Sequence, residues 1–298
     1  MGSIPLAMIK EKTFNVVQDV WVSPSNGVRY HNKSKQWKVQ ADGKILGYFD
    51  NLIIAHNGKC ADRLMSKTPA KEVHKLLRVN FAANVAKLGG NRMTLNSIYS
   101  LTFCLPRDST LTRAVPEALK GTFIRNQPNL RFLTCQSQKY PSEDANVQIW
   151  TLLSSAAFAK KYKAPQEFLP PDVIHNVTSL MLGSLEKTLS LPSESVQSAV
   201  LSSRLQLWGA AVPLNTWQNG YGFIYDDEYK VGVCGDWLCH ASIPGAWTSG
   251  DLLGRYMTRS TPLSSVGLEG QFCRCEDTNK SGIGSLGSST KKAVAAKS

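Results

Sequence analysis

Val231-Gly232-Val233-Cys234-Gly235-Asp236-Trp237-Leu238-Cys239-His240-Ala241-Ser242-Ile243-Pro244-Gly245-Ala246-Trp247-Thr248-Ser249-Gly250 is the most informative stretch of this chain. A short β-rich run, Val231 and Val233, ends in Gly235-Asp236-Trp237. After a brief loop, Ser242 and Pro244 suit a helix's first turn. Ala246, Trp247, Leu252, Leu253, Tyr256 and Met257 then recur at helical spacing. A strand feeding a helix with small opening residues exposes backbone N–H groups and the positive end of a helix dipole. That arrangement suits phosphate oxygens or an electron-rich heteroaromatic edge. Asp236 adds a carboxylate at the strand tip, able to accept from sugar or polyol hydroxyls. An ordinary strand-loop-helix with a glycine kept for close packing satisfies the same pattern.

Gly235-Asp236-Trp237 followed by Gly245-Ala246-Trp247-Thr248-Ser249-Gly250 resembles the C-terminal FAD signature of flavin amine-oxidase-like proteins, and most of all the renalase-like FAD/NAD(P)-binding oxidoreductases of plant and bacterial type. Three further segments are similar to that family. Phe49-Asp50-Asn51-Leu52-Ile53-Ile54-Ala55-His56-Asn57-Gly58-Lys59-Cys60-Ala61-Asp62-Arg63-Leu64 resembles its strand leading out of the FAD domain. Gly121-Thr122-Phe123-Ile124-Arg125-Asn126 and Gln148-Ile149-Trp150-Thr151-Leu152 resemble strands of its substrate domain. Arg204-Leu205-Gln206-Leu207-Trp208-Gly209-Ala210-Ala211 resembles the segment returning to the FAD domain.

The resemblance implies an α/β protein: a truncated Rossmann-like FAD-binding domain with an inserted antiparallel α+β substrate domain. Residues 14–60 and 214–259 would supply the first and residues 61–213 the second, with 260–298 a disordered tail. Asp236 would hydrogen-bond the ribityl-pyrophosphate region, beside Gly235 and Trp237. The backbone at Pro244, Gly245, Ala246 and Trp247 would face the flavin N1/O2 edge, where negative charge builds on reduction. Trp208 would line the substrate side, although a sheet-packing aromatic reads the same way. The implied activity is hydride transfer between a small-molecule substrate and FAD, with NAD(P)H a candidate electron donor. In such enzymes the cofactor carries the redox step, so a catalytic triad is not required.

The departure from the family is at the start. Met1-Gly2-Ser3-Ile4-Pro5-Leu6-Ala7-Met8-Ile9-Lys10 leads straight into Phe14-Asn15-Val16-Val17, with no Gly-x-Gly-x-x-Gly turn. Too few residues precede it for a strand-helix-strand unit of about 30 residues. The expectation is therefore a truncated form, and the alternative reading is a catalytically inactive isoform acting as an interaction or regulatory protein. Gly282-Ile283-Gly284-Ser285-Leu286-Gly287 meets the fingerprint literally, but it follows Glu276-Asp277-Thr278-Asn279-Lys280-Ser281, which is no strand.

Composition bounds the rest. The 298 residues are 42% hydrophobic, enough for a core, and length favours two domains. Net charge is +12, from 34 Lys+Arg against 22 Asp+Glu. Polyanions are admissible partners, but the basic residues are dispersed and no nucleic-acid motif accompanies them. Seven cysteines without regular spacing argue for a reducing compartment rather than a disulfide framework. His31, His56, His74, His175 and His240 lack metal-ligand spacing, and Cys273-Arg274-Cys275 has no second pair. No apolar run is long enough to span a membrane. A soluble intracellular protein is expected, cytoplasmic or plastid, with no membrane or specific nucleic-acid partner. Removing part of a parallel sheet would leave an unpaired edge open to self-association.

The local pattern is β-rich over residues 14–55, with strands at Val16-Val17, Val20-Trp21-Val22, Gly27-Val28-Arg29-Tyr30, Gln36-Trp37-Lys38-Val39 and Ile45-Leu46-Gly47-Tyr48. Asp42-Gly43 signals a tight primed hairpin. Leu52-Ile53-Ile54-Ala55 reads as a strand buried on both faces. Pro170-Pro171-Asp172 opens a helix whose Val173, Val177, Leu180, Met181, Leu185 and Leu189 share one core-facing stripe.

Overall fold

A computed structural model describes residues 14–84, 89–140, 146–166 and 168–275, together with Ala7. Two compact units emerge. One is built from residues up to Val79 with Gln218–Cys239 and Ile243–Gly270, the other from Asn80–Trp217 with His240–Ser242 and the residues from Gln271 onward. The first unit therefore runs past residue 60, because the helices Gly58–Ser66 and Lys71–Leu77 bury Ala61, Met65, Val73 and Leu77 within it. The motif Gly282–Gly287 lies outside the described residues.

In the first unit, strand Val231–Val233 pairs in parallel with Leu52–Ile54, and antiparallel with Ile224–Asp226 on its other side. Val231, Val233, Ile224 and Tyr225 are fully buried, as a sheet covered by helices requires. Ile53 is 41% exposed, so the run at 52–54 is not buried on both faces. It lies at the rim of its three-stranded sheet, where one face remains open. The helix Ile243–Met257 packs Leu253 and Tyr256 against this sheet. Gly232 permits the approach: a Cβ there would stand 2.6 Å from Ile53 Cδ1 and 3.0 Å from Leu253 Cδ2.

An antiparallel meander, Val28–His31, Gln36–Ala41 and Lys44–Phe49, precedes the parallel pair. Its second turn has Asp42 at φ 48° and Gly43 at φ 77°, the doubly left-handed backbone of a primed hairpin. Trp37 anchors the meander, fully buried and donating its indole N–H to the Tyr229 carbonyl at 2.6 Å. Residues 14–22 form no strand, contrary to the β-rich pattern, and Trp21 is 59% exposed. β propensity reflects packing against a neighbouring strand, and no described strand pairs with this segment.

The second unit is a five-stranded antiparallel sheet in the order Ser202–Trp208, Ile98–Pro106, Val147–Ser154, Leu130–Cys135, Gly121–Phe123. Alternation along Ile98–Pro106 sends Tyr99, Leu101, Phe103 and Leu105 into the core. The helix Pro171–Thr188 covers that face with Val177, Met181, Leu182 and Leu185. The expected disorder from residue 260 does not hold for residues 260–275. Gln271–Arg274 forms a strand on Asn215–Gln218, and Phe272 packs on Trp217 with ring centroids 4.9 Å apart. Composition rich in Ser and Gly hid the few apolar side chains, Val266 and Phe272, that hold this segment down.

Candidate functional site

The parallel strands Leu52–Ile54 and Val231–Val233 end side by side, with Ile54 opposite Val233 and the Cys234 N–H donating to the Ile54 carbonyl at 3.1 Å. Carboxyl ends of parallel strands form the rim at which open α/β sheets bind ligands. His56 follows one strand, and Gly235 and Asp236 follow the other. Desolvation lowers the His56 imidazole from its ordinary value, which favours the neutral ring at pH 7. Burial likewise pushes the thiols of Cys234 and Cys239 up, so neither is a poised thiolate.

Asp236 opens a single 3-10 turn, Asp236–Leu238. Burial pushes its carboxyl above the usual aspartate range, while the N–H groups of Trp237 and of Asp236 itself pull it partly back. A hydroxyl presented to this partly desolvated carboxyl would add a further donor. Trp237 is fully buried.

The helix Ile243–Met257 leaves Ile243, Pro244, Ala246 and Trp247 exposed at its opening, Trp247 at 60%. Gly245 is buried. Pro244 fits the first turn because the N–H it lacks would have no helical acceptor. Strand tip and helix are joined by Ser249, fully buried in the helix's second turn. It accepts the Gly235 N–H at 3.0 Å and donates to the Gly222 carbonyl at 2.6 Å. Gly222 holds φ at +75°, a left-handed backbone for which a side chain would be strained.

Of the residues singled out from sequence, Gly235, Asp236, Trp237, Pro244, Gly245, Ala246 and Trp247 therefore lie on one strand-turn-helix passage of the first unit. Trp208 ends the strand Ser202–Trp208 of the second unit, 50% exposed. Sequence reasoning missed Ser249 and Gly222. A serine in the second turn of the helix that follows the glycine-tipped strand was the available signal, but its partners lie 14 and 27 residues away. Among the described residues no cluster of three His, Cys, Asp or Glu side chains could hold a metal, and no helix is long and apolar enough to cross a membrane.

No family model matches the chain, and no curated protein matches it. Among solved structures, the chain is similar to a protein described as a protoporphyrinogen oxidase from Exiguobacterium sp. 255-15, at 10% identity and a TM-score of 0.49, covering 78% of this chain and 46% of that one. A redesigned putrescine oxidase is similar at 11% identity and a TM-score of 0.47, covering 86% of this chain and 53% of that one. The chain spans about half the length of these structures.

Proposed function

We propose that the chain is an FAD-dependent oxidoreductase of the renalase-like or amine-oxidase-like kind, acting on a small-molecule substrate with NAD(P)H as candidate electron donor. The observation that supports this reading is the pairing of a half-buried carboxylate, Asp236, with an exposed helix opening at the carboxyl rim of a parallel strand pair. These residues fit the polyol chain and ring edge of such a cofactor. Asp236 would accept from a cofactor hydroxyl, and the backbone from Pro244 to Trp247 would face the ring's N1/O2 edge. Gly235 would act through shape, because its N–H is already given to Ser249. When bound, the flavin would supply hydride chemistry, and the helix dipole would stabilise charge gained there.

The test is titration of the purified full chain with FAD. Uptake with absorbance near ~450 nm, a property of bound flavin, and an affinity reduced about tenfold or more in Asp236→Ala would support the reading. Protein that stays colourless and ignores added FAD would overturn it.

A second reading, an interaction or regulatory protein, is favoured by apolar side chains at the surface. Trp21, Ile45, Tyr48 and Phe49 are 45–59% exposed, more than a solitary surface apolar residue would need explaining. The strand Lys44–Phe49 also forms an edge of the meander, and we propose self-association there. Sedimentation showing only monomer at high concentration would exclude it.

A further inference from the structure

The three-stranded meander of the first unit has two unlike faces. Tyr30 and Trp37, register partners on its first two strands, face inward, and Tyr30 meets Tyr229 edge-on with ring centroids 5.3 Å apart. Alternation sends Arg29, His31 and Lys38 to the opposite face, and Tyr48 joins them as the register partner of Lys38. Arg29, Lys38 and Tyr48 thus stand in one row across three neighbouring strands. The rings of His31 and Tyr48 meet beside that row, their centroids 5.7 Å apart and their planes at 68°. Arg29 and His31 are exposed, and Tyr48 is 51% exposed.

Like charges directly opposite one another on a sheet face, with Cβ atoms about 5 Å apart, weaken the strand pairing. Arg29 and Lys38 are such a pair. The Arg29 guanidinium donates to the neutral Asn26 Oδ1 at 3.3 Å, and among the described residues neither cation is in an ion pair. No strand of the meander carries an Asp or Glu. Asp50, just beyond the third strand, accepts the Gln36 amide at 3.0 Å. Lys33 and Lys35 extend the cationic surface along the exposed connection between the first two strands. An anion laid across Arg29 and Lys38 would relieve their repulsion, and Tyr48 offers a ring face one strand away. Anions and flat rings at short, regular spacing are the chemistry of a nucleic-acid single strand.

From this we infer that the outer face of the meander binds single-stranded nucleic acid without sequence preference, with phosphates on Arg29 and Lys38 and a base stacked on Tyr48. A single strand fits because its bases are free to leave their neighbours and stack on a protein ring. The amides of Gln36 and Gln40 on the same strand face make the surface polar, better matched to bases and phosphates than to acyl chains. The face uses no residue offered for FAD, and it uses side chains rather than the main-chain edge proposed for self-association. It stands or falls separately from both.

The experiment is fluorescence anisotropy of a fluorescein-labelled oligothymidylate, about 12 nucleotides long, titrated with the full chain at several potassium chloride concentrations. The expected result is saturable binding that weakens as salt rises. Arg29→Gln and Lys38→Gln should each weaken it and flatten the plot of log affinity against log salt by about 0.7, the share of one phosphate contact on a single strand. Their melting temperatures should not fall, because each change removes one of two facing like charges. Tyr48→Leu should weaken binding about fivefold or more with the salt slope unchanged. Lys160→Gln, a change at an exposed cation of the second unit, should bind as the native chain does. Absence of binding would overturn the proposal, as would undiminished binding by Lys38→Gln or by Tyr48→Leu. A loss in Lys160→Gln equal to that in Lys38→Gln would overturn it by tracing the binding to net charge alone. Cosedimentation with phosphatidylserine vesicles, without binding of the oligonucleotide, would replace it with a lipid surface.

Discussion

Gly235 and Ser249 meet at 3.0 Å, the backbone N–H of a strand tip donating to a hydroxyl on the helix that follows. The same hydroxyl donates a hydrogen bond to the Gly222 carbonyl, so one side chain ties main-chain groups of two glycines. Ser249→Ala leaves the Gly235 N–H without this acceptor and the Gly222 carbonyl with the Cys239 thiol at 3.6 Å as its remaining donor. Each buried group left unpaired costs about 1–3 kcal/mol, and the loss should appear in urea denaturation as a lower midpoint with an unchanged slope. FAD uptake, if the proposed function is right, should fall with it, because Asp236 directly follows the glycine that Ser249 holds. Unchanged stability would show that water replaces the hydroxyl and that the tie carries little.

A second tie of this kind organises the antiparallel unit. Glu186, 3% exposed near the end of the helix Pro171–Thr188, accepts the N–H of Glu194 at 2.9 Å, Val196 at 2.8 Å and Gln197 at 3.1 Å. The loop after the helix is wrapped round one carboxylate. Glu186→Gln keeps the shape but puts an amide donor where one of these N–H groups needs an acceptor. The expected cost is about 1.5–3 kcal/mol, as for hydrogen bonds to a charged group. Amide exchange should accelerate at residues 194–197 before the rest of the unit. Equal protection in both proteins would contradict this.

These ties explain where sequence reading succeeds on this chain. The Asp42-Gly43 hairpin and the helix opened by Pro171 were legible because their signals sit within a few residues: a left-handed turn and an apolar stripe. The neighbours of Val231–Val233 were not legible from periodicity, since one partner strand lies near residue 53 and only the family resemblance placed both in one domain. Trp21 and its neighbours carry the composition of a strand without its pairing. The row of Arg29, Lys38 and Tyr48 depends on the register of three strands, which no spacing rule supplies. Phe272 was lost for the opposite reason, an apolar anchor inside a polar-looking stretch.

Asn215 offers a sharper test of the buried polar framework. It is fully buried, accepting the Thr94 N–H at 2.7 Å and donating to the carbonyls of Arg92, at 2.8 Å, and Gly89. Asn215→Asp is nearly isosteric but sets a carboxylate against two carbonyl oxygens. The variant should lose about 3 kcal/mol or more at pH 7, the scale of an uncompensated buried charge. The new group's folded pKa must lie above its unfolded value, so acidification should restore stability as the carboxyl becomes a donor to one carbonyl. A pH-independent deficit would mean that shape, not charge, causes the loss.

Asp226 makes the pH dependence of the native chain testable. The residue is 6% exposed, with one oxygen accepting the Glu228 N–H at 3.0 Å. Burial raises its pKa above the ordinary 3.8, and the N–H groups of Tyr229 and Glu228 only partly offset this. The folded chain therefore holds the proton longer than the unfolded chain. Its contribution favours folding most at low pH, declines as pH rises from about 4 through the folded value, and is flat beyond that. Asp226→Asn keeps an acceptor for Glu228 and cannot ionise, so the melting temperature of the variant relative to the native protein should climb between pH 4 and pH 7. Asp236 is raised for the same reason and keeps part of the slope in the single variant. Adding Asp236→Asn should therefore make the melting temperature relative to the native protein climb more steeply over this range, whereas parallel melting curves for native and variant proteins would show that neither carboxyl is perturbed by burial.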